Sequence, residues 1–364
     1  MSRKLSIIHA DLAIKVVKQL VSYSAIVYSP ISLAIAFSMA YMGSSGDTKE
    51  EIKKFFVGEE SDDSLHERFN QFMTHLDNTI KSVNKIYVKE GLKLEDGFVD
   101  GLKKYYNGQF EQIEFTSPDA AEKINKFVEE STNNIIKDLI NQNDLNSLTS
   151  SILINAIYFK GGWEKQFLEE NTSSDDFYIS NSNVKKIDMM FKKDKYNYYE
   201  NEEYQIISLN YEGNQQRMVI LLPKERSAFP NNISSFKGEQ LFDMIDSMDM
   251  HTVKLYLPKF EIESSHQLVD ILKNLGLTKP FDEFADFSLM CTEEQLYVSK
   301  IIQKAYIEVN EKGTEAAAAT AMIMMCRTSM IHRPQIEYVF KADHPFMYFI
   351  MDREDNILFN GLYM

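Results

Sequence analysis

Apolar and polar positions follow two different periods along this chain. Up to about residue 130 the apolar residues recur at helical spacing, and beyond about residue 150 an alternation of period two takes over. Residues 5–20 carry Asp11, Lys15 and Lys18 among their apolar positions and predict an amphipathic first helix. Residues 32–41, rich in Ala, Met and Leu, predict a second, and residues 48–56 a third that begins on a cap-like Thr48 with acidic residues behind it. Residues 122–139 read as a further amphipathic helix. The near-continuous apolar run 151–159 predicts a strand buried on both faces. Residues 205–209 and 217–222 flank Tyr211-Glu212-Gly213-Asn214, a hairpin signal. Residues 253–257 alternate as a half-buried strand, 268–275 return to helix, and 301–309 to strand. The last two strands, 346–351 and 357–362, enclose the polar turn 352–356. The pattern is α+β, with helices early and long antiparallel sheets late.

One stretch fits neither period. The strand-like alternation ending in Tyr306-Ile307-Glu308-Val309 stops at Gly313 and gives way to Ala316-Ala317-Ala318-Ala319-Thr320-Ala321. Four alanines would ordinarily favour helix. Here they follow a glycine and lead into Met322-Ile323-Met324-Met325-Cys326-Arg327, an apolar stretch ending on a cation. Small uncharged side chains suit a segment that slides between two existing strands, because none clashes or carries a charge into a core. Glu315 is the one charge in the stretch before Arg327, and strand alternation turns it away from Thr314 and Ala316. The stretch reads as a loop able to become a strand.

The segment Val309-Asn310-Glu311-Lys312-Gly313-Thr314-Glu315-Ala316-Ala317-Ala318-Ala319-Thr320 closely resembles the reactive-loop hinge of inhibitory serpins. Further motifs follow in the family's order. They are Ser29-Pro30-Ile31-Ser32, Gly43-Ser44-Ser45-Gly46-Asp47-Thr48, Asn155-Ala156-Ile157-Tyr158-Phe159-Lys160-Gly161-Gly162-Trp163, Leu257-Pro258-Lys259-Phe260, Leu275-Gly276-Leu277, Ala285-Asp286-Phe287-Ser288, Asp343-His344-Pro345-Phe346 and Ile357-Leu358-Phe359-Asn360-Gly361. The chain is identified as a member of that family. The resemblance implies one interlocked domain over residues 1–364, about eight or nine helices on three β-sheets, and an exposed, insertable loop at about 312–335. It also implies a suicide-type inhibitor with no catalytic group of its own, and a monomer.

Counting from Glu311 as in the family places the scissile bond at Arg327–Thr328. Composition points the same way, since a trypsin-like protease needs a cation in its specificity pocket. Between Gly313 and Phe340 the basic side chains, His332 aside, are Arg327 and Arg333, and Pro334 makes a poor leaving-side residue for the latter. Alternation turns Thr314, Ala316, Ala318, Thr320, Met322 and Met324 into the core on insertion. The run from Arg327 to Pro345 is longer than is usual in the family, so a shifted bait stays open. Met324, Met325 or Met330 would then suit a chymotrypsin-like or elastase-like protease, and a papain-like cysteine protease could also be caught. A non-inhibitory member would carry bulky or charged hinge residues, which residues 313–321 lack apart from Glu315. Cys326, beside the bond, either fills the protease's second pocket or places inhibition under redox control.

The remaining family positions carry over singly. Ser29, Ser32 and Asn155 match the shutter beneath the sheet. Trp163 matches the breach where insertion begins, with Lys259 a partner for Glu311; the bland reading of Trp163 is a core aromatic, and the two are compatible. Gln303 stands where the shutter usually has histidine, and Ala25 where asparagine is frequent, so the usual shutter hydrogen bonds are put in doubt.

Composition narrows the partners. The formal net charge of −15 argues against nucleic acid or an anionic membrane. Lys192-Lys193-Asp194-Lys195 is read as a solvated turn. The helix expected over residues 64–78 mixes its charges (His66, Glu67, Arg68, Asp77), which argues against a heparin site. The two cysteines, Cys291 and Cys326, form no disulfide framework. With charges breaking the first apolar stretch, no signal peptide is expected, and the reading is a cytoplasmic protein, with unconventional secretion open. Asn171-Thr172-Ser173 and Asn232-Ile233-Ser234 match glycosylation acceptors that arise readily by chance. There is no G-x-S-x-G, phosphate loop or H-E-x-x-H, and the seven histidines are scattered, so neither enzyme, cofactor nor metal site is expected.

Overall fold

The computed structural model describes residues 3–21, 24–74, 79–229, 233–314 and 337–364. Among these residues lie eight α-helices: α1 (Arg3–Leu20), α2 (Pro30–Gly43), α3 (Gly46–Ile52), α4 (Asp62–Thr74), α5 (Asp96–Tyr106), α6 (Ala120–Ser131), α7 (Gly238–Asp246) and α8 (Val269–Asn274). A nine-stranded sheet runs β1 (Ile26–Tyr28), β16 (Ile357–Tyr363), β15 (Phe346–Asp352), β9 (Gln216–Pro223), β8 (Tyr204–Asn210), β7 (Asn183–Glu200), β10 (Asp249–Pro258) and β14 (Glu337–Lys341), with β6 (Ser173–Ser180) also on β7. A five-stranded sheet runs β11 (Phe260–Gln267), β12 (Val298–Val309), β4 (Ser151–Phe159), β2 (Ile80–Lys89) and β3 (Phe110–Ile113). The third is a ribbon of two short strands, β5 (Gly161–Gly162) and β13 (Gly313–Thr314).

Helix α2 is buried almost all round, as expected of a helix with no polar face. Pro30 pre-sets its first turn, and Ser29 caps it by accepting from the Ser32 N–H at 3.3 Å. The five-stranded sheet lies over it. Strand β4 is buried along its whole length because both faces are covered. Leu153, Ile157 and Phe159 join the main core with α2, while Ile152, Ile154, Ala156 and Tyr158 pack in a second cluster with Ile124 and Val128 of α6. The apolar run at 151–159 encodes this double burial.

Three readings need correction. The helix expected over 122–139 ends at Ser131. The Thr132 hydroxyl donates to the Val128 carbonyl at 2.8 Å and accepts from the Ile136 N–H at 3.2 Å, and Asn133 and Asn134 take positive φ (53° and 61°), so side-chain bonding competes with the helix. The helical first 130 residues also contain β2 and β3. Lys192-Lys193-Asp194-Lys195 is no turn: it lies inside β7, where all four residues pair with β10. Local polarity suggested a loop, but the tertiary pairing decides the matter.

Candidate functional site

The central feature is a seam. Strands β12 and β4 are neighbours and parallel, registered from Val298 opposite Ser151 to Ile307 opposite Phe159, while β12–β11 and β4–β2 are antiparallel. Parallel pairing is slightly the weaker kind. A strand running the other way could enter this seam and be antiparallel to both neighbours.

The hinge begins at the mouth of the seam. After β12 the chain turns back at Asn310, whose side-chain oxygen accepts from the Lys312 N–H at 3.0 Å and the Gly313 N–H at 3.2 Å. Gly313 then bridges Asn310 on one side and Gly162 on the other, and Thr314 pairs with Gly161. Only glycine fits here. Gly313 has φ +139°, and a Cβ on it would lie 2.2 Å from the Gly161 carbonyl oxygen. Glu311 and Gly313 are buried, so the first hinge residues are already tied into the molecule rather than displayed.

Glu311 is held from two sides. Its carboxylate accepts from the Thr172 hydroxyl at 2.8 Å and pairs with the Lys259 ammonium at 3.1 Å. Burial would raise this carboxyl, but the Thr172 hydroxyl, the residue's own N–H and Lys259 outweigh it and hold it below the ordinary glutamate range. Trp163 seals the same mouth. Its indole N–H donates to the Asn310 carbonyl at 2.9 Å, its backbone N–H donates to the Lys312 carbonyl at 2.9 Å, and its ring stacks on Tyr211 at 4.4 Å. Trp163 is thus a buried aromatic bonded to the start of the hinge, and Lys259 pairs with Glu311. Thr172 escaped the sequence reading, because no local pattern signals a contact across 139 residues.

Midway down the seam a polar row crosses the sheet. Asn84 stands opposite Asn155, Asn155 opposite Gln303, and Gln303 opposite His266. The Gln303 side chain clasps Ser29 twice, its oxygen accepting from the Ser29 N–H at 2.7 Å and its amide donating to the Ser29 carbonyl at 2.9 Å. The Ser29 hydroxyl donates to the Leu358 carbonyl at 2.7 Å. Asn155 donates to the Ser32 hydroxyl and to Asn84, and the Ser32 hydroxyl donates to the Asn84 oxygen at 3.0 Å. The Asn155 side-chain oxygen is buried and has no hydrogen-bond partner among the described residues. The two seam strands are therefore anchored separately to α2, β12 through Gln303 and β4 through Asn155. His266 reaches the Val27 carbonyl at 3.1 Å, and burial pushes its imidazole below the ordinary value.

The doubt over the shutter is thereby answered in part: Gln303 supplies a two-point clasp in place of the usual histidine, and Ala25 packs against the core. Asn84 and His266 were missed, although a lone asparagine inside the strand 80–89 was a usable signal. A Gln303→Leu substitution would orphan the buried Ser29 N–H and leave the Ser29 C=O with only its 3.3 Å bond from the Leu33 N–H. At about 1–3 kcal/mol for each unsatisfied group, it should lower the thermal midpoint by several degrees in a melting experiment. An unchanged midpoint would show that the clasp contributes no stability. Glu315, Ala316, Ala317, Ala318, Ala319, Thr320, Met324, Met325, Cys326, Arg327, Thr328 and Met330 lie outside the described residues. Cys291 is a buried free thiol.

Comparison with known proteins agrees with this geometry. A family model described as Serpin (serine protease inhibitor) matches residues 8–364. Antichymotrypsin-2 of Bombyx mori is 37% identical over 347 residues, covering 93% of this chain and 91% of the relative. Antitrypsin of the same insect is also 37% identical over 347 residues, covering 93% and 88%. The crystal structure of Serpin48, a highly specific serpin of the insect Tenebrio molitor, superposes with a TM-score of 0.85 at 30% identity, covering 100% of this chain and 98% of that one. The chain belongs to the serpin family, and it is an inhibitor of serine proteases rather than an enzyme.

Proposed function

We propose that the chain inhibits trypsin-like serine proteases by a suicide mechanism with Arg327–Thr328 as the scissile bond. The protease serine attacks the Arg327 carbonyl, the Thr328 amine leaves, and an ester joins the serine oxygen to Arg327. The segment from Gly313 to Arg327 then enters the seam as a new strand. About fifteen residues at roughly 3.3 Å each carry the tethered protease about 50 Å, and its active site is deformed before water reaches the ester. The drive is the hydrogen bonding and burial gained by the new strand, held back until cleavage by a kinetic barrier.

The observation that carries this reading is the register at the mouth. Gly313 opposite Gly162 and Thr314 opposite Gly161, if continued down β4, would set Ala316 opposite Phe159 and Met324 opposite Ser151, the first residue of that strand and the far end of the seam. Arg327 clears the end of the strand by three residues, which is where a tethered protease has to be. The bridge from Gly313 to Asn310, continued along β12, places Thr320 opposite Gln303, and the β4 register places it opposite Asn155. The two registers agree with the Asn155–Gln303 pairing already present. Thr320, the one hydroxyl between Thr314 and Arg327, then arrives beside the Asn155 oxygen that lacks a donor.

The test is to mix the protein with trypsin, run a denaturing gel and weigh the released C-terminal fragment. A covalent band near the summed masses with a fragment starting at Thr328 is expected. No reaction with trypsin moves the bait to Met324, Met325 or Met330 and to a chymotrypsin-like or elastase-like protease, in keeping with the name of the Bombyx antichymotrypsin. Cleavage without a covalent band overturns the suicide mechanism.

A further inference from the structure

The lysines inside β7 belong to a cationic face on a strongly anionic protein. Register sets Lys193 opposite Lys254 and Lys195 opposite Thr252. On the other side of β10, Glu337 stands opposite Thr252, Val339 opposite Lys254 and Lys341 opposite Tyr256. Directly opposed residues share a face, so Lys193, Lys195, Lys254 and Lys341 present four ammonium groups on one side of the sheet. Two carboxylates answer them. Glu337 pairs with Lys193 and, at 3.1 Å, with Lys254, while Asp175 pairs with Lys341 at 2.8 Å. Lys195 makes no ion pair among the described residues and is exposed. Met250 and Val339, on the same face, are exposed at 59% and 50%. Lysines in excess over carboxylates, with apolar side chains among them, contrast with a chain whose formal net charge is −15.

This face adjoins the loop. Strand β14 starts at Glu337, ten positions after Arg327, so an extended connection reaches at most about 35 Å. A protease domain of roughly 220 residues has a radius of gyration of about 17 Å and hence spans about 40 Å. A protease seated on Arg327 can therefore reach the start of β14 and the β7–β10 pair beside it.

We propose that this lysine face is a docking surface for an acidic patch on the target protease, separate from the bait. The inference rests on Arg327 as the bait and adds that the physiological target is a trypsin-like protease with an anionic surface next to its active site. Long-range attraction would act on the encounter rate, before any loop chemistry. The Debye length at physiological salt is about 8 Å, so the approaching protease feels the nearby lysines more than the distant net charge.

The experiment compares association rates for one anionic and one cationic trypsin that share an arginine-specific pocket, from low to physiological salt. Two net-negative proteins with no matching patch associate faster as salt screens their repulsion. A docking lysine face reverses the sign: the rate with anionic trypsin falls as salt rises, by about tenfold. The triple variant Lys193→Gln, Lys195→Gln, Lys254→Gln should restore a rate that rises with salt, and should speed the cationic trypsin instead. Because that variant also frees Glu337 beside β14, the single variant Lys195→Glu, which breaks no ion pair among the described residues, should shift the slope in the same direction. Stoichiometry of inhibition and melting temperature report on an intact fold. A rate with anionic trypsin that rises with salt in the wild type, or a slope that the variants leave in place, overturns the docking surface while leaving Arg327 standing. Acceleration of the cationic trypsin alone by heparin through these lysines would reassign the face to a polyanion and overturn the proposal as well. No stable complex with either trypsin overturns the bait reading itself.

Discussion

Thr314→Arg is expected to turn the inhibitor into a substrate: trypsin would still cleave at Arg327, but the covalent band would be lost. Position 314 pairs with Gly161, and a side chain at Gly161 would point at the rings of Phe159 and Tyr211, 2.7 and 3.0 Å from where its Cβ would stand. Directly paired positions share a face of a sheet, so an arginine introduced at 314 would be directed at that packed aromatic layer. Burying an unpaired guanidinium there costs several kcal/mol. Each 1.4 kcal/mol is a factor of ten in rate, so insertion would slow by about a thousandfold or more and fall behind hydrolysis of the ester.

The control follows from alternation. Glu315→Arg places the same charge one residue along, on the face away from Phe159, and should leave a stable complex in good yield. The measurement is the number of inhibitor molecules consumed per protease trapped, read with the covalent band. Equal loss in both variants would sink the assignment of faces, and an unimpaired Thr314→Arg would sink insertion as the mechanism.

How far the sequence disclosed this site depends on where the information sits. The hinge was legible because its chemistry is local: small uncharged residues after a glycine at the end of an alternating strand. The strand 151–159 was legible to the residue because burial on both faces leaves a continuous apolar run. The Gln303–Ser29 clasp was legible only in part: the resemblance assigned both residues to the shutter but counted Gln303 as a loss, because nothing local shows two groups 274 residues apart bonding. Thr172 was hidden in the same way. Lys192 to Lys195 misled because a strand at a solvent face can be as polar as a turn, and only its pairing with β10 distinguishes the two. The overshoot of the helix past Ser131 has a different origin, in which the Thr132 hydroxyl takes over the backbone bonding that would have continued it.

Acid should destabilise the native protein before most of its carboxylates titrate, because burial pushes His9, His66 and His266 below the ordinary histidine value. His9 is pushed down to about 4, chiefly by burial, with Arg68 adding to the effect and the Phe56 carbonyl at 3.0 Å opposing it. His66 is also pushed down to about 4 by burial, against the partial pull of Asp62, and bonds Tyr106 at 2.6 Å. Each folded value lies below the unfolded one near 6.5, so the unfolded chain takes up the protons first as pH falls. Stability is therefore whole above about pH 7 and is lost progressively between about 6.5 and 4, by roughly 3 kcal/mol for each histidine. The contribution of Glu311, whose carboxyl is held below its ordinary range, is lost only at lower pH, as pH falls through that depressed value. Urea midpoints between about pH 7.5 and pH 4.5 should show the decline, since the linkage slope reads directly as proton uptake on unfolding. The double variant His9→Gln, His66→Gln should flatten it, whatever its stability at neutral pH. His9 lies on α1 and His66 on α4, neither of which contributes to the seam strands, so the pH slope and the rate of protease trapping are separable readouts. A slope that survives in the double variant would transfer the acid sensitivity to His266, which burial also pushes down, or to the carboxylates.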